Sequence, residues 1–325
     1  MDKLPEIRRA NLNYDDVLIV PQYSQISSRS LVSTKTKLGP IEIEKPIIAA
    51  NMDTICGYEM AAEMEALGGL GIIHRYQTLE QYEEILKKST LSRLAMAVGT
   101  LANDKDRIDL VMNRVPIICI DIAHGDCKQM EQTIKYIRKN AYDTVIIAGN
   151  VCTPDATERL RTWGADVVKV GVANGHVCET RRNTGVGYPQ FDTVRECANE
   201  VNWSNVSIIA DGGIRAPGDV SKAIGAGAHA VMIGSYLSGS DKVPGWTHAG
   251  CNLSYRGMAS AEARTDFGQK AKFVEGRSVS VFGDVEGSTA ARVTALIEGL
   301  QSAMAYTGAD NIRDFHRDVE FVAVK

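Results

Sequence analysis

Eight short apolar runs recur along the chain, each followed by a segment of helical periodicity, and this alternation limits how it can fold more than any other feature. The runs lie at 46–51, 71–74, 95–100, 117–123, 144–150, 167–172, 207–213 and 230–236. Between them stand amphipathic segments such as TLEQYEEILKKS, DCKQMEQTIKYIRKNA, TPDATERLRTWGA and APGDVSKAIGAGA. Several open on a Ser, Thr or Asp cap or a first-turn proline, and several close on glycine. The run at 167–172 is β-branched residues and glycine apart from Lys169, the pattern of a strand covered on both faces. Eight strand-then-helix units predict a closed (β/α)8 TIM barrel rather than an open sheet. With no long Pro- or Ser-rich linker, residues 1–325 are expected to form one barrel domain.

A chain of 325 residues, 44% hydrophobic and 23% charged, can bury a core of that size. Its net charge of -4 argues against a nucleic-acid surface, which needs a basic excess or stripe. No apolar run approaches the ~18 residues of a membrane span, and the opening MDKLPEIRRANLNYDD has no signal-peptide core, so a cytoplasmic location is expected. The seven cysteines are scattered and form no CxxC pair, which argues against the common zinc spacings and against a disulfide framework. Cys119, inside PIICIDIA, and Cys197, on a helical pattern, are expected to be core residues.

A barrel makes a demand: residues that bind and react should follow the strand ends. The conspicuous polar motifs fall there: Asn51-Met52-Asp53, His74-Arg75, 121–125, Asn150, the loop around Cys178, Asp211-Gly212-Gly213 and Gly234-Ser235. Two glycine-bearing ends, DGG and IGS, suit a phosphate, because glycine lets backbone N–H groups approach an anion closely. Asp211, itself anionic, suits a pair of ribose hydroxyls instead. Cys178 sits in a polar, Gly- and Thr-rich loop with Arg181 and Arg182 nearby. That setting fits an activated nucleophile with Thr180 passing a proton, and equally an ordinary thiol in a basic loop.

PIIAANMDT, GLGIIHRYQTLEQ, AGNVCT, KVGVANGHVCETRRNTGVGYPQ, ADGGIRAPGDVSKAIGAGAHAVMIGS, YRGMAS and VEGRSV occur in order across nearly the whole chain. Together they resemble the IMP dehydrogenase and GMP reductase family of (β/α)8 barrels. The resemblance implies a cysteine that attacks C2 of a purine nucleotide to form a thioimidate. A dehydrogenase then oxidises and hydrolyses it, whereas a reductase expels ammonia from GMP and delivers hydride from NADPH to give IMP.

Within the family the reductase is the closer match. AANMDT and TRRNTGVGYPQ resemble its motifs, and the flap at 260–275 is short. Dehydrogenases carry there an Arg-Tyr pair that activates water; this chain has Arg264-Thr265 and no tyrosine from 257 to 283. The regulatory domain inserted in many dehydrogenases is absent, since KKSTLSRLAMAV runs from helix to strand directly. The alternatives are a dehydrogenase with a minimal flap and a catalytically impaired purine-nucleotide binder.

By resemblance Cys178 is the nucleophile, and Thr180 with Glu275 handles the proton of the leaving ammonia. Asp211 and Gly212 face the ribose, Gly213, Gly234 and Ser235 the phosphate, and Gly257, Met258 and Ala259 the base. NADPH is expected over Asp121, Ile122 and Ala123, with Ser28, Arg29 and Arg75 toward its phosphates. A neighbouring subunit of a homotetramer adds the region of Ser302 and Tyr306. Carbonyls of Gly171, Gly175 and Cys178 are the candidates for a potassium ion, with Arg181 able to compete for that place. His176 departs from the pattern: it stands where the family has a serine on the phosphate, and is read either as a phosphate donor, better when protonated, or as a tolerated surface residue. Arg75 replaces a lysine of many reductases, and Glu179 adds a carboxylate beside the nucleophile.

Overall fold

The computed structural model describes residues 12–202, 204–247, 251–268, 273–283 and 287–324. The opening residues read for a signal sequence, and flap residues 269–272, lie largely or wholly outside them. Eight parallel strands close into a barrel: β1 (Ile47–Ala49), β2 (Leu70–Ile73), β3 (Ala95–Val98), β4 (Ile117–Asp121), β5 (Val145–Val151), β6 (Val167–Val170), β7 (Ser207–Asp211) and β8 (Ala230–Ile233). Closure comes from β8 pairing β1 in parallel, with Val231 opposite Ile47 and Ile233 opposite Ala49. Every predicted run contributes one strand. Several strands stop earlier than the apolar runs, for a backbone reason: Gly171, Gly212 and Gly213 take φ of +138°, +94° and +82°, outside the β region, and turn the chain into the loop.

The helices are α1 (Tyr58–Ala66), α2 (Leu79–Lys88), α3 (Leu101–Val111), α4 (Lys128–Asn140), α5 (Pro154–Trp163), α6 (Gln190–Val201), α7 (Pro217–Gly225) and α8 (Thr289–Thr307). Their ends follow the sequence signals. Thr78 and Gln81 form a capping box at the start of α2. Pro154 and Pro217 occupy the first turns of α5 and α7, and Gly164 closes α5 in the left-handed conformation. Residues 89–94 alone join α2 to β3.

Alternation along the strands divides the core in two. Ile47 and Ala49 face the helices, and Ile48 and Ala50 face the barrel axis. The same phase puts Ile117 and Cys119, Ile147, Val167, and Ile209 inside. Leu38 and Ile43, from the hairpin Thr36–Leu38/Ile41–Ile43, join that inner cluster. Cys119 and Cys197 are fully buried, and burial pushes both thiols up to about 12. No cysteine among the described residues is in a disulfide, and no helix among them is long and apolar enough to cross a membrane.

The connection from β8 to α8 is long and carries an antiparallel hairpin, Asn252–Arg256 with Ser278–Phe282. At its tip lies the short helix Ala261–Asp266, whose Ser260 cap accepts from Ala263 N–H. Edge-on packing of Phe267 against Tyr76, with centroids 4.4 Å apart, and a hydrogen bond from the Tyr76 hydroxyl to the Met258 carbonyl at 3.0 Å hold this segment over the barrel mouth.

Candidate active site

A cleft of about 370 Å³ opens at the C-terminal face of the barrel, the size range of small-molecule sites. Its floor is the last inward-facing layer of the strands. In β4, β6 and β7 the inward phase ends on Asp121, Lys169 and Asp211. Lys169, 2% exposed, donates to Asp121 at 2.8 Å, to Asp211 at 2.9 Å and to the Asn150 side-chain oxygen. Asn150 in turn donates to Asp211 at 2.8 Å and to the Gly171 carbonyl at 2.7 Å. Burial alone would lower the lysine's pKa, but Asp121 and Asp211 outweigh it and raise it, so the ammonium stays charged. Burial works against Asp121 as well, and Lys169 overrides it, holding the carboxyl below its ordinary value. Asp121, Asn150 and Asp211 belong to the strands themselves rather than to the loops after them.

Gly171 ends β6 because nothing larger fits: a Cβ there would lie 2.0 Å from the Asp211 carbonyl oxygen. The loop that follows is tied down by Gln190, which donates to the carbonyls of Val170 and Asp211, and by Asn174, which donates to Gln190, Val172 and Tyr188. On this base sits Cys178, its N–H on the Gly175 carbonyl and its backbone bridged to Gly276. The thiol donates to the Thr180 hydroxyl at 3.3 Å, and that hydroxyl donates to the Glu275 carboxylate at 3.0 Å. The chain from thiol to carboxylate thus spans two distant segments of sequence, joined where Glu179 N–H meets the Glu275 carbonyl at 2.8 Å. The Glu179 carboxylate is engaged by Arg277 at 3.4 Å and Arg182 at 3.7 Å, so its charge is paired beside Cys178.

At one end of the cleft Gly212, Gly213, Gly234 and Ser235 meet Gly175 and His176. Tyr255, almost fully buried, closes this end beside Ser235, and its ring stacks against the His176 ring at 6.3 Å. Gly257, Met258 and Ala259 line the wall beside Cys178. At the other end stand Asp121, Ile122, Ala123, Arg75 and Tyr76, and the flap contributes Arg264. Arg75 lies over the Tyr76 ring at 5.0 Å, and its Nε has no hydrogen-bond partner. A half-buried guanidinium at the cleft wall whose Nε has no partner fits an anionic or amide-bearing cofactor at this end.

Four expected cofactor residues lie elsewhere. Ser28 and Arg29 form a short 3-10 turn packed on α8, where Arg29 donates to Ser302 at 3.1 Å, and Tyr306 is exposed further along the same helix. The Gly171 carbonyl accepts from Asn150 at 2.7 Å, that of Gly175 accepts from Cys178 N–H at 3.1 Å, and Arg181 donates to Asn174 at 2.8 Å.

The sequence reading passed over Lys169 and Tyr255 and gave Asn150, Asn174 and Gln190 no role. Lys169 left a signal, a lone charge in an otherwise apolar strand. Tyr255 opens the motif YRGMAS, but its contact with His176 depends on the hairpin folding back over the barrel.

Comparison with known proteins agrees with this geometry. The family model for the IMP dehydrogenase / GMP reductase domain matches residues 11–325. A GMP reductase of Phytophthora infestans is 34% identical over 99% of this chain and 93% of the relative, and one of Yersinia pestis is 36% identical over 96% and 94%. Among solved structures, a GMP reductase of Trypanosoma brucei in complex with guanosine 5'-monophosphate superposes with a TM-score of 0.89 at 26% identity, covering 98% of this chain and 96% of that one. Matched by that family model over nearly its whole length, the chain belongs to the IMP dehydrogenase / GMP reductase family.

Proposed function

We propose that this protein is a GMP reductase, converting GMP to IMP and ammonia with NADPH. The observation that carries the reading is the unbroken path Cys178 Sγ to Thr180 Oγ1 to Glu275 Oε2. Attack by sulfur on C2 of the purine forms the C–S bond. The thiol proton passes through Thr180 to Glu275, which returns a proton to the 2-amino group, and the C–N bond breaks with loss of ammonia. NADPH supplies a hydride when bound. Reduction at C2 would restore the purine as the C–S bond breaks to thiolate, and a proton taken up from solvent would return Cys178 to its starting thiol.

The remaining residues orient and select. Asp211, held by hydrogen bonds from Lys169 and Asn150, accepts from ribose hydroxyls. Gly213, Gly234, Ser235 and Tyr255 hold the phosphate, with His176 at its edge. Arg75 and Asp121–Ala123 would hold the nicotinamide cofactor. Ser28, Arg29, Ser302 and Tyr306, far from this cleft, would serve a neighbour's cofactor in a cytoplasmic homotetramer. No step is routed through a potassium ion. The short flap supports reduction over hydrolysis: with no tyrosine between 257 and 283, it lacks the Arg-Tyr pair that would activate water.

The test follows nicotinamide absorbance with GMP plus NADPH and, in parallel, with IMP plus NAD, while assaying ammonia. NADPH loss matched by ammonia is expected, and Cys178→Ala should abolish it while GMP still binds. NADH formation from IMP, or full turnover by Cys178→Ala, would overturn the reading.

A further inference from the structure

The anion end of the cleft does not stop at a single phosphate seat. A second cavity adjoins it and shares three of its residues, His176, Ser235 and Tyr255. Its outer wall adds the side chains of Arg215, Arg292 and Tyr236, and two valines of the hairpin, Val279 and Val281, close its side. No carboxylate is among its described lining residues, whereas the main cleft carries Asp121, Asp211 and Glu275. A pocket lined by guanidinium, imidazole and hydroxyl groups selects an anion.

Two features set how those groups are held. Arg292 donates to the carbonyls of Tyr236 at 2.7 Å and Ser238 at 2.8 Å, which fix its guanidinium in the wall. Arg215 forms a fork on Asp15 at 2.6 and 2.8 Å and approaches Asp219 at 3.5 Å. The Asp15 pair is more than half exposed on both sides, and exposed pairs contribute little. The Asp15 fork can therefore be exchanged for a phosphoryl group in the pocket at small cost, while the Nε contact keeps the residue on the buried Asp219. His176 stands between the two cavities. A histidine reaches further than the serine the family carries there, and it borders both compartments.

We infer that this second cavity takes a second phosphoryl group, in line with the first, so that the chain binds a nucleoside 5'-diphosphate with its base and ribose in the main cleft. The inference rests on the GMP reading of that cleft. The diphosphate would occupy the site competitively with the monophosphate.

Calorimetric titration with GMP, GDP and GMP plus inorganic phosphate tests it, on the parent protein, Arg215→Gln and Arg292→Gln. The expected result is GDP bound at least as tightly as GMP. Arg215→Gln should weaken GDP by about tenfold, the loss of a charge-assisted contact, and leave GMP within about twofold. Arg292→Gln checks the same pocket from its other wall. GMP binding with GDP more than tenfold weaker would overturn the inference and leave the proposed function standing. GDP binding indifferent to both substitutions would overturn the location. Free phosphate tightening GMP while GDP fails to bind would replace the diphosphate by a separate anion. Binding of neither nucleotide would reject the GMP reading and the inference with it.

Discussion

Replacing Lys169 by methionine should cost stability in a pH-dependent way, most where both of its carboxylate partners are ionised. The ammonium meets Asp121 and Asp211 at 2.8 and 2.9 Å with its side chain 3% exposed. Each contact is of order 6 kcal/mol at an effective dielectric constant of about 20, and the burial of three charges offsets most of that sum. What the substitution removes is the compensation, leaving two carboxylates and Asn150 around an apolar side chain. Breaking a buried ion pair from one side costs about 3–5 kcal/mol. With an unfolding entropy near 0.7 kcal/mol/K for a chain of this length, the melting temperature should fall by roughly 4–7 °C.

The sign follows from the carboxylates. In the parent protein Lys169 holds Asp121 below its ordinary value, so that contribution is present above the unfolded carboxylate pKa and is lost as pH falls through the folded one. In Lys169→Met the two carboxylates repel, and one of them takes up a proton more readily than in the unfolded chain. The deficit relative to the parent should therefore be largest near pH 8 and shrink toward pH 5. Urea unfolding of both proteins at several pH values measures it, and the double variant Lys169→Met/Asp121→Asn should recover part of the loss at pH 8. A deficit of the same size at pH 5 and pH 8 would refute the electrostatic account and leave only a packing defect.

Thr180→Val keeps the shape but removes the hydroxyl between Cys178 and Glu275, and should lower kcat by about 10²–10⁴-fold with little change in GMP affinity; a mere KM effect would count against the proton path. His74 is buried and its pKa is lowered to about 4 by burial, from an ordinary 6.5, despite the nearby Asp53. It therefore stabilises the fold fully above pH 6.5 and loses up to about 3 kcal/mol as pH falls toward 4. His74→Asn should flatten that part of the stability profile, as read by urea midpoints. Gly276→Ala would bring a Cβ to 2.9 Å from the Ser260 nitrogen and 3.2 Å from the Ala259 carbonyl carbon, both backbone. It should displace Glu275 and cut turnover at least tenfold while thermal stability changes less than in Lys169→Met; unchanged kcat would show that the flap base tolerates the shift.

Much of this protein was legible from its residues alone. The eight apolar runs and the signals at Thr78, Pro154 and Pro217 state strands and helix starts locally, because each acts through its own backbone, although the predicted runs carry on past Gly171, Gly212 and Gly213, where the strands end. The ordered motifs around Cys178 and Glu275 carried the family, and the loop positions that follow strand ends were placed by the barrel rule. The facing of each strand was not legible. Both faces of β4, β6 and β7 are apolar, so the sequence does not say whether Asp121, Lys169 and Asp211 point to the helices or to the axis. Closure of β8 on β1 decides that, by fixing which phase of every strand looks inward and so bringing three charges from distant runs into one buried layer. Tyr255 and Glu275 reach the site only because the hairpin after β8 folds back over the barrel, and no local signal encodes that approach. Residues that act through their own backbone were determined by sequence, and those that act through a partner far along the chain were decided by the tertiary structure.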